Sequence, residues 1–154
     1  MKTQKTLTTI FLALAVAANV LSAQTPDQAR AALKALNVFK DSLSDWFRSP
    51  NCAPHDSQCL QNKLALVERM ARDAKDFLEK SPALFSYNGD ATDEQLAPQR
   101  AVFAKMEKIA GLAISYRDAL VNAEKSPTQE EKTAALIAQE NLYNAVVDFA
   151  KGKS

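Results

Sequence analysis

The chain has 154 residues, with 19 lysines and arginines against 18 acidic residues, one histidine, two cysteines and only three glycines. Its formal charge of +1 excludes a polyanion binder, which would need a basic face. Acids and bases instead alternate along the chain as a solvated surface requires. The length favours one domain, and no hairpin pair of alternating β-branched segments occurs, so the expected fold class is all-α.

Met1 to Ala23 has the three parts of a secretory signal. Lys2 and Lys5 form a basic start, Leu7 to Leu21 is mostly apolar and uncharged, and Leu21-Ser22-Ala23 ends in small residues at a cleavage site. The apolar run is too short, and with Thr8 and Thr9 too polar, for a bilayer span of about 20 apolar residues. Gln24 follows the cleavage point where a lipoprotein would have cysteine. Without Lys2 and Lys5, 17 basic residues face 18 acidic ones, so the exported part, residues 24–154, carries a charge near −1. A periplasmic or extracellular location is expected, and no Asn-x-Ser/Thr motif is present to favour eukaryotic secretion.

The first predicted helix spans about 26–48. Thr25-Pro26-Asp27-Gln28 combines a hydroxyl cap, proline where the missing N–H is harmless, an acid in the first turn and glutamine at the capping-box position. Ala29, Ala32, Leu36, Phe39, Leu43 and Trp46 follow the spacing of one helix face, and Ser49-Pro50 stops the helix. The corner Arg48 to Cys59 holds both cysteines and the only histidine. In an exported chain Cys52 and Cys59 read as a disulfide. A metal at Cys52, His55 and Cys59 is not expected, because a closed zinc site needs four ligands and the chain has no other sulfur of cysteine and no other histidine.

The second helix is expected over about 56–80, with the stripe Leu60, Leu64, Val67, Ala71, Ala74 and Leu78, widened by Leu66, Met70 and Phe77, and ended by Ser81-Pro82. Ala83 to Ala97 breaks the helical pattern. Asn88-Gly89 is a turn signal, yet Leu84, Phe85 and Tyr87 are apolar residues in what should be an exposed connection. They read either as a lid folded over the open end of the bundle or as a partner-binding loop.

Thr92 and Gln95 have capping-box spacing, but Pro98 inside the turn they would start places the third helix at about 98–125, with the stripe Val102, Met106, Ile109, Ala113, Tyr116 and Leu120. Gly111, mid-helix, costs up to about 1 kcal/mol relative to alanine, which points to a close helix contact there. The fourth helix is expected over about 127–150, capped by Ser126 with Gln129, its stripe being Ala135, Ala138, Leu142, Ala145 and Phe149, broadened by Leu136, Val146 and Val147. The alanines predict close approach to neighbouring helices. Four helices of matched length, roughly 35 to 40 Å each, imply an up-down-up-down antiparallel four-helix bundle with one disulfide in its first connection.

The layout resembles bundles of the cytochrome b562 type in architecture. That resemblance implies haem held by a methionine of the first helix and a histidine of the last. Here the first helix has no methionine, and Glu140-Asn141-Leu142-Tyr143-Asn144 carries asparagine where a ligand would stand. Covalent haem needs Cys-x-x-Cys-His, and paired iron needs Glu-x-x-His on two helices. Neither occurs, so no cofactor and no metal are expected. His55 has no nucleophile tied to it, and Asp73 with Asp76 or Glu130 with Glu131 lie among lysines and arginines as surface charges, so no catalytic residue is assigned. The expected function is therefore non-enzymatic binding of another protein, as adaptor, inhibitor or chaperone-like factor, with Leu84, Phe85 and Tyr87 as the docking loop. The alternative is a carrier of a small apolar ligand between the helices, where Gly111 and the alanines of the last helix leave room.

Overall fold

A computed structural model describes residues 25–152; the predicted signal segment lies outside them. The described chain folds as α1 (Pro26–Arg48), α2 (Ser57–Lys80), a short α3 (Pro82–Ser86), α4 (Asp93–Lys125) and α5 (Gln129–Ala150), with no strand. The four long helices form the antiparallel bundle.

Local chemistry sets most of the boundaries. At α1 both capping-box bonds form: the Gln28 amide donates to Thr25 Oγ1 at 3.3 Å and the Thr25 amide donates to Gln28 Oε1 at 2.8 Å. Asp56 caps α2, its Oδ1 accepting from the Cys59 amide at 3.0 Å. Ser81 ends α2 but stays helical in φ and ψ, so Pro82, at the position where a missing N–H costs nothing, starts α3 at once.

The start of α4 differs from expectation. The helix begins at Asp93, five residues before Pro98, because the Thr92–Gln95 capping box forms in full. Pro98 deprives only the Glu94 carbonyl of a partner, and Glu94 is exposed in the first turn where water replaces the bond. The cap of α5 also lies two residues on from expectation. Thr128 Oγ1, not Ser126, accepts from the Glu131 amide at 3.2 Å, and Pro127 lies outside the helix.

The core runs along the axis. Phe39 and Phe77 stack at 6.0 Å between α1 and α2, and Met70, Val67, Met106, Ala113 and Leu142 are fully enclosed with them. Met70 and Phe77, expected at the margin of the α2 stripe, stand at its centre. Leu60, Val102 and Leu136, expected within their stripes, are exposed.

The neighbours explain this. α1 packs along α2, α2 along α4 and α4 along α5, while α5 approaches α1 at few points. The close approach promised by the alanines of α5 is thus made to α4. On the α1 side a long aromatic contact spans the gap, Phe47 stacking on Tyr143 at 5.0 Å.

Gly111 does not mark a helix contact. A Cβ there would meet nothing within 4 Å.

Candidate functional site

The bundle has a concave surface at each end, and unequal helix lengths create the one at the open end. α4 has 33 residues and its antiparallel partner α5 has 22. Joined by a short turn at residues 126–128, they leave about three turns at the start of α4 without α5 beside them.

At the disulfide end, Cys52 and Cys59 are bonded, their Cα atoms 5.6 Å apart, so the expected bridge is present. It ties the corner to the first turn of α2. His55 is exposed in that corner. Beside it opens a groove of about 540 Å³ with Tyr116 and Leu120 of α4 as floor. Leu60 and Leu64 of α2 form one wall, Leu136 of α5 the other, and Asn51 with Cys52 closes one end. Leu60 is 47% and Leu136 65% exposed, large side chains for such exposure. The charged lining is mixed, Lys63 from α2 and Glu124 from α4.

Aromatic rings support this end from within. Trp46 is buried and packs at 5.8 Å against Tyr116, and Phe47 next to it carries Tyr143. Trp46 therefore seals the core beside the corner. Burial pushes the Tyr116 phenol above its ordinary pKa, and the Trp46 indole N–H pulls it back in part. That N–H is itself buried without completing a hydrogen bond of normal geometry. Burial thus keeps the Tyr116 phenol neutral at the base of the groove.

At the open end the expected loop residues separate. Leu84 is 7% exposed and belongs to the core; Phe85 is half-buried, edge-on to Phe103 at 6.2 Å; Tyr87 is half-buried and its ring lies over Gly89. Gly89 turns the chain at φ +52°, and a Cβ there would stand 3.3 Å from the Tyr87 hydroxyl oxygen. The lid geometry weighed against docking in the sequence is thus the geometry of Leu84, and Phe85 and Tyr87 keep partial access to solvent.

Behind Tyr87 lies a second cleft of about 540 Å³. Leu33 and Ala29 of α1, Leu84, and Leu96 and Phe103 of α4 give it an apolar lining. Leu96 belongs to the α4 turn that the sequence leaves out of the helix. Arg30 and Arg100 are the charged residues of this lining, which among the described residues contains no acid. Arg100 Nη1 pairs with Asp93 at 2.9 Å and Nη2 bonds Asn88, while its Nε is buried without a partner.

Among the described residues no helix is long and apolar enough to cross a membrane. Comparison with protein-family models, with curated proteins and with solved structures finds no match for this chain.

Proposed function

We propose that the protein is an exported, non-enzymatic helical bundle that binds another protein through the groove at its disulfide end. The observation that carries this reading is the pair Leu60 and Leu136, exposed on opposite walls above the Tyr116–Leu120 floor. An apolar groove between helices, with a rigid wall, is the form that receives an amphipathic helix of a partner. Exposed leucines scattered over a surface would need no explanation, but leucines facing each other across a groove do.

Export rests on the signal-like features of Met1 to Ala23 and on the disulfide, which persists in an oxidising compartment. The bridge holds Cys52 at the groove's closed end, so the wall is already ordered before a partner arrives. Preorganisation of this kind lowers the entropy lost on binding. The reading moves docking away from Leu84, whose side chain is committed to the core.

Affinity capture from a periplasmic or extracellular extract tests it. A partner retained by the wild-type protein and by Val38→Ser, and lost by the Leu60→Ser/Leu136→Ser double variant, is the expected result. Equal recovery by all three would refute the groove as the docking site.

A further inference from the structure

We propose that the cleft at the open end binds a single-chain amphiphile with a carboxylate head, a free fatty acid. This site is separate from the protein-binding groove and does not depend on it. Its volume of about 540 Å³ falls within the ordinary range of small-ligand pockets, roughly 300 to 1,000 Å³. Leu33, Leu84, Leu96 and Phe103 would receive an alkyl chain.

The charge of the lining selects the head group. Arg30 stands at the rim and Arg100 is 25% exposed, and no described acid lines the cleft against them. Asp27 and Asp93, their ion-pair partners, are 88% and 78% exposed and lie outside the lining. An amine head would meet two cations, and an alcohol would leave both without an anion on the cleft side. A carboxylate accepts charge-assisted hydrogen bonds from guanidinium groups, and Arg30 and Arg100 both stand in the cleft lining to donate them.

Calorimetric titration of the purified, delipidated protein with decanoate, decanol and decylamine, each kept below the threshold for micelles or phase separation, tests the proposal. Decanoate is expected to bind one site at least about tenfold more tightly than decanol, the effect of one charge-assisted hydrogen bond. The Arg30→Gln/Arg100→Gln variant should bring the acid down to the level of the alcohol. Leu33→Ser should weaken both. Should loss of the Arg100 ion pair impair folding, Arg30→Gln alone, at an exposed position, still must reduce binding of the acid more than of the alcohol.

No saturable decanoate binding, equal affinity for acid and alcohol, or tighter binding of the amine would overturn the proposal. So would a loss of decanoate binding in Leu60→Ser/Leu136→Ser with Leu33→Ser unaffected, since the chain would then occupy the other end. The partner capture described above does not involve Arg30, Arg100 or Leu33, so the two readings fail independently.

Discussion

The two ends of the bundle enclose clefts of equal size by different means. At the disulfide end a covalent bridge and an aromatic relay, Tyr116 to Trp46 and Phe47 to Tyr143, hold helices that do not close on one another. At the open end a five-residue helix and a glycine turn fold Leu84 into the core beneath the unpaired first turns of α4. One end is fixed by a covalent bond with apolar residues left outside, and the other by burial with cations left outside. A bundle that places the Leu60–Leu136 groove and its cleft-lining arginines at opposite ends can offer two chemically distinct surfaces on one core.

That contrast breaks first at Leu84. Leu84→Ala should destabilise the fold by about 2 to 4 kcal/mol, as for a leucine deleted from a packed core, measured by urea unfolding. A cost below about 0.5 kcal/mol, the range of ordinary surface substitutions, would show that burial does not hold the open end.

Next comes the bridge. The ring from Cys52 to Cys59 is short, and chain entropy puts its contribution at about 2 to 3 kcal/mol. Cys52→Ser/Cys59→Ser should therefore lower the melting temperature by about 10 °C while far-ultraviolet circular dichroism keeps its helical signal at room temperature. An unchanged melting temperature would mean the disulfide end is held by its aromatic contacts alone.

Thr92→Ala removes the cap of the turn that carries Leu96 to the open-end cleft. A cost of about 1 kcal/mol is expected, together with faster hydrogen exchange confined to residues 93–97. If exchange there were unchanged, Pro98 rather than the capping box would be setting the start of the helix.

Gly111, between the two ends, calibrates the scale. With open space where a Cβ would stand, Gly111→Ala should stabilise the protein by up to about 1 kcal/mol. Destabilisation would mean that a helix contact occupies that space after all.

The last test is the pH dependence of the disulfide end. The folded protein holds the Tyr116 phenol above its ordinary pKa, so the neutral form is favoured by folding. Its contribution is fully present below the unfolded value of about 10 and is lost as pH rises through the higher folded value. Urea midpoints should fall above about pH 10, and Tyr116→Phe should lessen that fall. A slope unchanged in the variant would assign alkaline unfolding to other groups.

The elements were legible in the sequence where a local device decides them. Thr25 with Gln28 and Ser49 before Pro50 bounded α1 because a cap and a proline act within one turn, whatever the rest of the chain does. Pro98 misled for the same reason in reverse. Its penalty is local, but the Glu94 carbonyl it strands faces water, and the sequence does not say which carbonyls will be wet.

The surfaces were much less legible. Leu60 and Leu84 are both leucines beside a turn, and periodicity assigns the first to a core stripe and leaves the second in a connection. Their exposure is the opposite. Leu60 falls on the correct face of its helix, but α5 stands across the groove from it, with Leu136 on the far wall, and leaves it uncovered.

By itself the sequence determined the helical class, the four long helices, the position of the bridge between the first two and the apolar face that each helix brings to the core. Spacing at 3.6 residues per turn, caps and prolines act through neighbours in the chain, and those neighbours are written in order. Tertiary structure alone decided which parts of those faces are covered. Coverage depends on where α5 ends beside α4, how sparsely it meets α1 and which way α3 folds, and these are relations between segments far apart in the chain. Both clefts, and the two arginines that line the second, arise from those relations.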